Sequence, residues 1–478
     1  MHRILKTSSK KLTTRKEKIV SQQKEWLTDW KPEENWNSKI AWRTLTITTF
    51  NLTLAFATWF LASALAPKLN GLGFDLTKNQ LYWLAAMPGL AGGTLRLIWM
   101  FLPPVLGTRK LVTLTSLFLI VPLLGWGVAI NNPNTTYTTF MLLAALSGIG
   151  GGAFSGFMPS TSYFFPKRLQ GTALGLQAGI GNFGVSVVQF VTPWIVGFSL
   201  LGTLATSQTF HNASTGKDVQ VWYQNAAWIY IPFLVIGIVL AWTMLKSVPV
   251  KASFRTQVDI FKNPDTWLMT ALYVMTFGTF SGLSAQFGLL IKNLYGAGNL
   301  AIVEVAKSGA TQLLVDGYHV PDPLKYAFLG PLVGAGARVL FAPLTDRMGG
   351  AIWTMVSGAG LLGSIVYTIN YLTPDATSAE SLSTGFHGFL YGMIAIFFFT
   401  GIGNASTFKQ MPMIFEPRQA GGVIGWTGAV AAYGPFFFGI GLTTFGAISF
   451  YWIGAFYAVA CLVITWIRYA RKGAPRKS

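Results

Sequence analysis

Two arginines lie within stretches of sequence that are otherwise mostly apolar. Arg96 belongs to the stretch 80–105 and Arg338 to the stretch 326–345. A charged side chain at the centre of a bilayer costs about 2.5–3.5 kcal/mol on insertion scales, so it needs a partner or water. The planar guanidinium group binds flat oxyanions through paired hydrogen bonds. The two arginines therefore predict a site for a small anion, with hydrogen bonds to backbone carbonyls as the structural alternative.

The sequence offers these arginines no acidic partner. All 16 Asp and Glu residues lie in tails, loops or helix ends, and the four histidines are also peripheral. The predicted membrane core thus holds two positive charges and no fixed negative one. The single cysteine, Cys461, cannot form an internal disulfide, and no metal-binding pattern is present. We therefore expect no metal, no cofactor and no enzymatic activity.

The composition indicates what positions the arginines. Of the 478 residues, 52% are hydrophobic and 11% are charged, whereas soluble domains carry about 25% charged residues. A transmembrane helix needs about 20 mostly apolar residues. Twelve such stretches predict an all-α membrane protein: 43–66, 80–105, 111–130, 137–163, 170–198, 225–245, 266–291, 326–345, 350–373, 384–408, 419–443 and 449–467.

The basic residues predict the orientation of these helices. With the N-terminus inside, 27 Lys and Arg residues lie in inside segments and 6 in outside segments. This bias predicts a multi-pass protein of the cell membrane with both termini in the cytoplasm. It also accounts for most of the +19 net charge without a nucleic-acid partner. The basic N-terminal segment is expected to contact anionic lipid.

The two halves of the chain resemble each other. Gly92 precedes Arg96 by four residues and Gly107 follows it by eleven, and Gly334, Arg338 and Gly349 repeat this spacing. The second helix of one half thus matches the second helix of the other, which predicts a parallel repeat of six helices with a site between the halves. The expected division is 1–42 (basic segment), 43–245 (first bundle), 246–265 (linker), 266–467 (second bundle) and 468–478 (basic tail).

Glycines mark the fifth and eleventh helices. Close helix packing would explain them, and a functional interpretation adds sliding and bending during transport. The expected hinge glycines are Gly171, Gly175, Gly179, Gly184, Gly425, Gly428 and Gly434. Asn182 lies within the first run and could hydrogen-bond to an anion. Asp346 and Arg347, in the loop after the eighth helix, either anchor the topology or latch the halves as a gating loop.

These motifs resemble the nitrate/nitrite porter family of the major facilitator superfamily. The family signature G-x-x-x-G-x-x-x-G-x-G-N-x-G runs here from Gly171 to Gly184. The Phe-Phe-Pro-Lys segment 164–167 and the Gly-x-Gly-x-x-Ser-Thr-Phe segment 401–408 are also similar to it. The resemblance extends from about Asp29 to the end of the chain. It implies the major facilitator fold, with two six-helix halves.

The resemblance also implies roles for particular residues. In the family the two membrane-embedded arginines bind the anion, a role that falls on Arg96 and Arg338. The aromatic residues that sandwich the planar ion correspond to Phe154, Tyr273 and Phe277. The asparagine of the signature is Asn182. The implied substrates are nitrate and nitrite.

The residues favour one transport mode over its rivals. Without a carboxylate in the core, an empty closed carrier would bury two like charges, which is costly. Return with a second anion avoids this state, so we expect nitrate/nitrite antiport by a carrier that we take to be a monomer. Proton-coupled nitrate symport is the alternative, with protons as a further partner. A passive anion channel is a weaker one.

Overall fold

The computed structural model describes residues 25–200, 202, 206–212, 217–250, 258–296, 318, 320–375 and 379–478. Within these residues the fold is a bundle of long helices. The first six are α1 (Ser38–Trp59, with a bent extension Leu61–Leu72), α2 (Lys78–Trp99), α3 (Leu102–Asn131), α4 (Tyr137–Ser162), α5 (Lys167–Ile195) and α6 (Asn225–Met244).

The last six helices repeat this layout. They are α7 (Pro264–Tyr295), α8 (Leu329–Met348), α9 (Gly350–Ile369), α10 (Ala379–Ile414), α11 (Pro417–Ala431 and Gly434–Thr444) and α12 (Gly446–Thr465, continuing as Trp466–Ala470). Each of the twelve predicted stretches coincides with one of these helices. The seventh helix ends later than the predicted stretch 266–291, because α7 continues to Tyr295.

The helices are suited to a membrane. Among the described residues, ten helices are long and apolar enough to cross one, or eleven if α1 and its extension, bent by 45°, form one span. The remaining helix, α2, is 22 residues long but less apolar, since it carries Arg96. The predicted all-α membrane fold is therefore confirmed, although apolarity alone selects fewer than twelve spans.

A β-hairpin that the sequence analysis did not predict lies between α5 and α6. Its strands, β1 (Gln208–Asn212) and β2 (Lys217–Val221), pair antiparallel with Gln208 opposite Val221. The ring of Phe210 packs against Gly71 in the extension of α1, where a larger residue would clash. We call the side of the bundle that carries this hairpin and the extension Leu61–Leu72 the hairpin face.

The opposite side carries both ends of the described chain, and we call it the terminal face. Glu25 lies beside Arg109 and Lys110 at 3.9 and 3.7 Å, in the loop region where the second half has Asp346. The indole of Trp30 donates to the carbonyl of Tyr163 (3.1 Å) and that of Trp36 to Phe164 (3.0 Å). The segment before α1 thereby ties together the ends of α1, α3 and α4.

Two glycines at matched positions break the helices that follow the arginines. Gly107, within α3, has φ 72°, and Gly349, between α8 and α9, has φ 92°. Side chains other than glycine rarely adopt such values. The amide two residues further on donates to a serine in each case: Arg109 N to Ser247 Oγ (3.3 Å) and Ala351 N to Ser478 O (3.0 Å). The structural repeat thus includes the ends of the helices.

Candidate functional site

Arg96 lies at the centre of the bundle and is fully buried. Its Nε donates to the carbonyl of Gly151 in α4 (2.8 Å) and its Nη1 to the carbonyl of Gly428 in α11 (2.6 Å). The first contact requires a close approach of α2 and α4, and Gly92 and Gly151 face each other there. The guanidinium is thus held by two backbone carbonyls, the alternative considered above, but its Nη2 has no partner among the described residues.

Arg338, from α8, is only 2% exposed. In the amide orientation that satisfies both groups, Asn182 Oδ1 accepts from Arg338 Nη1 (3.2 Å), and its amide nitrogen donates to the carbonyl of Ala178 (3.3 Å). As in Arg96, the Nη2 atom has no described partner. The guanidinium groups of Arg96 and Arg338 repel each other across the site. The structure therefore brings both arginines and Asn182 to one place.

Aromatic rings enclose the two guanidinium groups. The rings of Phe154 and Phe277 lie 4.6 and 5.2 Å from the guanidinium carbon of Arg96. Tyr273 stacks on Phe277 with the ring centroids 5.4 Å apart and an angle of 9°. Phe277 lies in the part of α7 where the backbone widens to a π-helix at Val274–Gly278, and Tyr273 directly precedes it; such π-helical turns are common at functional sites. The three aromatic residues expected at the site are thus there.

Two more aromatic residues belong to the site. Trp59, at the end of α1, lies 5.2 Å from the guanidinium carbon of Arg96, and Phe408 of α10 lies 5.0 Å from that of Arg338. Phe408 also contacts Tyr273 and Phe154 at 5.6 and 6.2 Å between centroids. The segment 401–408 is similar to the family motif, but the sequence alone predicts no role for Phe408 or Trp59. Aromatic residues are too frequent in this chain, at 14%, for type alone to identify them.

The most informative residue that sequence reasoning missed is Asn404. It is fully buried, and neither its Oδ1 nor its Nδ2 has a hydrogen-bond partner among the described residues. It lies on the same stripe of α10 as Gly401, which contacts Gly334 and Ala337 of α8, and Phe408, which contacts Arg338. This spacing of three and four residues places Asn404 on the face of α10 directed at the arginines.

Several buried donors at this site therefore lack an acceptor in the described part of the chain. They are Arg96 Nη2, Arg338 Nη2, the Tyr273 hydroxyl and Asn404 Nδ2. An unsatisfied buried polar group costs about 1–3 kcal/mol, so native proteins rarely collect several in one place. In the described residues neither arginine forms an ion pair, and no group of three or more potential metal ligands occurs. The arrangement suits an acceptor-rich, negatively charged small molecule.

The glycines that recur along α5 and along α11, which we call the glycine stripes, show where these helices separate from their neighbours in the other half. On α5, a side chain at Gly179 would meet Val339 of α8, whereas a Cβ at Gly175 or Gly171, one and two turns earlier on the same stripe, would meet no other described part of the protein within 4 Å. On α11, Gly428 lies beside Arg96 and Gly425 beside Met100, the residue after α2, but a Cβ at Gly421 would meet no such neighbour among the described residues. The helix pairs α5–α8 and α2–α11 therefore separate toward the terminal face.

The remaining expected glycines pack tightly on the other side of the site. Gly184 faces the backbone of Thr53 in α1, and Gly434 faces the backbone of Gly278 in α7. Side chains also join the halves there: Gln189 Nε2 donates to the carbonyl of Ser284 (2.7 Å) and Gln286 Nε2 to that of Tyr82 (3.2 Å). The bundle is closed toward the hairpin face and open toward the terminal face.

The expected gating loop is described only in part. Arg347 is exposed at the end of α8. The side chain of Asp346 lies outside the described part of the chain, so its role as a latch stays a prediction. Ser478 contacts this loop, since its carbonyl lies next to Gly349.

Comparison with known proteins places these features in context. The model of the Major Facilitator Superfamily matches residues 47–379. The chain is 56% identical to the "Probable nitrate/nitrite antiporter NarK2" of Thermus thermophilus, over 94% of this chain and 98% of the relative. It is 32% identical to the "Nitrate/nitrite transporter NarU" of Escherichia coli, covering 94% and 97%. The "Nitrite extrusion protein" of Bacillus subtilis is 25% identical, covering 82% and 84%.

Proposed function

The chain belongs to the nitrate/nitrite porter family of the major facilitator superfamily, and we propose that it exchanges nitrate for nitrite across the cytoplasmic membrane. The observation that carries the proposal is the pair of buried arginines whose Nη2 donors and positive charges have no partner among the described residues. Nitrate and nitrite are small planar anions whose oxygens accept hydrogen bonds, and the names of the relatives agree with these substrates.

The contacts around the arginines suggest how the anion is held. Arg96 and Arg338 would donate to its oxygens from the two halves, and the Tyr273 hydroxyl and the Asn404 amide would supply further hydrogen bonds. The rings of Phe154 and Phe277 would lie against its flat faces and exclude water. In such a dry site, charge-assisted hydrogen bonds are stronger than in water.

The exchange follows from the charge of the site. A bound anion offsets the repulsion between the two guanidinium groups and allows the halves to close around it. An empty site holds two like charges, and enclosing it away from water is unfavourable. The carrier would therefore change its conformation only with an anion bound and would stay in one conformation when empty. Such behaviour is antiport, with no coupled proton required.

The separation of the helix pairs α5–α8 and α2–α11 toward the terminal face supports alternating access over a channel. The site is closed toward the hairpin face and open toward the terminal face. We place the terminal face in the cytoplasm, because most basic residues lie on that side. The described conformation is then inward-facing. Gly171, Gly175 and Gly421 would find packing partners when the terminal face closes.

The test is nitrate uptake into proteoliposomes. Vesicles loaded with nitrite should take up nitrate, empty vesicles should not, and a pH gradient should change neither result. Arg96→Lys and Arg338→Lys should each lower exchange about tenfold or more, because an ammonium cannot form the paired hydrogen bonds of a guanidinium, and 1.4 kcal/mol corresponds to tenfold. Arg471→Lys, at an exposed position of the tail, is the matched control.

Other outcomes would change the proposal. Uptake into empty vesicles that depends on an acid exterior would replace exchange with proton symport. Uptake that neither saturates nor responds to internal nitrite would indicate a channel. Parental activity in both lysine variants would remove the arginines from the site.

A further inference from the structure

An ion pair joins the two halves of the molecule at the hairpin face. Lys68, in the extension of α1, places its Nζ 2.8 Å from Oδ1 of Asp322, which lies just before Pro323–Tyr326. The lysine side chain is 14% exposed and the aspartate side chain 32%. No role for either residue follows from the anion site, which lies deeper between the helices.

Both members of the pair are held in position by their own half. Asp322 Oδ1 also accepts from the backbone amide of Leu324 (3.0 Å), so the carboxylate caps the short helix that follows. Lys68 Nζ lies 5.3 Å from the ring centroid of Phe210 in β1. The hairpin therefore covers the lysine, and the contact with Gly71 fixes the hairpin on the extension of α1.

A second lysine lies beside this pair. Lys292, near the end of α7, donates to Oδ1 of Asn70 in the extension of α1 (3.4 Å). Because Asn70 is two residues after Lys68, Lys292 approaches the same part of the extension as Lys68, and the two positive charges repel each other. The closed hairpin face thus brings together one lysine from each half. Asp322 supplies a negative charge that compensates this repulsion.

We propose that Lys68, Lys292 and Asp322 form the external gate of the exchanger. While the gate is closed, Asp322 neutralises Lys68 and holds the halves together. When the gate opens, α1 separates from α7 and α8, and the ion pair between Lys68 and the carboxylate of Asp322 breaks. The two lysines then flank the opening and attract the incoming small anion. The proposal rests on the alternating access proposed above.

The strength of the pair fits this role. Partly exposed ion pairs contribute little net stability and are screened by salt. A latch of this kind can bias the conformational equilibrium without stopping the cycle. Removing it should therefore shift populations and external affinity, and it should not unfold the protein.

The first experiment measures opening without relying on transport. A reporter thiol is introduced as Ser63→Cys, a buried position in the extension of α1, with the buried Cys461 replaced by serine. A membrane-impermeant thiol reagent is added at the hairpin face. Asp322→Asn should increase the modification rate at least threefold. The exchanged pair Lys68→Asp with Asp322→Lys should return it toward the parental rate.

The second experiment tests attraction of the anion. In right-side-out vesicles, Lys292→Gln should raise KM for external nitrate at least threefold, with KM for internal anion and the maximal rate unchanged. Added inert salt should reduce this difference, because screening weakens the attraction. Lys325→Gln, an exposed lysine on the same face, is the matched control and should leave both KM values unchanged.

The outcomes separate the gate from the exchange proposal. If the parent exchanges nitrate and nitrite but the Asp322 and Lys292 variants match it in modification rate and external KM, the gate proposal is wrong. If the parent does not exchange, the transport proposal fails. The modification assay still reports on the latch in that case. An exchanged pair that behaves like Asp322→Asn would contradict an electrostatic latch.

Discussion

Asn404 and Asn51 are both fully buried asparagines, but the protein satisfies them differently. Asn51 Nδ2 donates to the carbonyl of Ile47 (2.9 Å), and its Oδ1 accepts from Ser116 Oγ (2.7 Å). Asn404 has no such partner among the described residues. A buried amide without a partner destabilises the fold. It is explained if Asn404 meets its partner only when the anion is bound.

This difference gives a prediction at the residue scale. Asn404→Leu should raise KM for nitrate about tenfold, the effect of losing about 1.4 kcal/mol of binding. It should leave the thermal stability of the empty protein unchanged or higher, because an unsatisfied amide is replaced by an apolar group of similar size. Asn51→Leu is the control and should lower stability. Loss of stability in Asn404→Leu with normal affinity would make Asn404 a structural residue.

At the scale of the element, the glycine stripe of α5 has a packed part and an open part. Gly184 lies against the backbone of α1, whereas a Cβ at Gly175 would meet no other described part of the protein within 4 Å. Alternating access requires that the open part become packed when the terminal face closes. Under the proposed mechanism, glycines on this one helix serve two purposes: some pack closely at all times, and others pack closely only when the terminal face closes.

Alanine at each position should separate these purposes. Gly184→Ala should lower the free energy of unfolding by about 1–3 kcal/mol, because the backbone of α1 cannot move away easily. Gly175→Ala should keep or gain stability, since alanine is favoured over glycine in a helix by about 0.5–1 kcal/mol, yet it should slow exchange. Thermal unfolding and proteoliposome exchange measure the two effects. Equal rates for Gly175→Ala and the parent would show that this part never packs closely.

The helix ends of the two halves show a second element-scale device. In both halves a serine from the segment after the last helix accepts from the amide two residues past a left-handed glycine. Unpaired amides at a helix start are stabilised by such acceptors. The buried hydroxyl of Ser478 also accepts from Gln410 Nε2 (2.8 Å). These contacts fasten the helix ends of each half to one another.

At the scale of the whole molecule, the proposed mechanism has the anion link two halves whose buried arginines repel each other at the centre. A ligand that binds the folded state raises its stability by about 2.7 kcal/mol at a concentration one hundred times Kd. We therefore expect nitrate to raise the melting temperature in detergent, and sulfate at the same ionic strength to raise it less. Arg338→Lys should lose most of this increase. An equal increase with both salts would indicate an ionic-strength effect instead of a site.

The sequence by itself determined where the described long helices lie, and it was enough to identify the two arginines within them. Hydrophobicity over twenty residues is a local property of the sequence. In a membrane, a segment of this kind must form a helix, because only a helix satisfies the backbone hydrogen bonds within the segment itself. Arg96 and Arg338 were identifiable for the same reason, since charge is rare in such segments. The matched spacing around them also made the repeat predictable, and its glycines proved to have matched left-handed φ values.

Only the tertiary structure decided which groups meet. Asn404, Phe408 and Trp59 belong to residue types that occur throughout the helices, and their role depends on which neighbour they face. The ion pair of Lys68 with Asp322 joins residues 254 positions apart, and the hairpin has too few residues to show a pattern. The direction in which the bundle opens is likewise not local. It depends on contacts between helices from different halves, which no local stretch of sequence specifies.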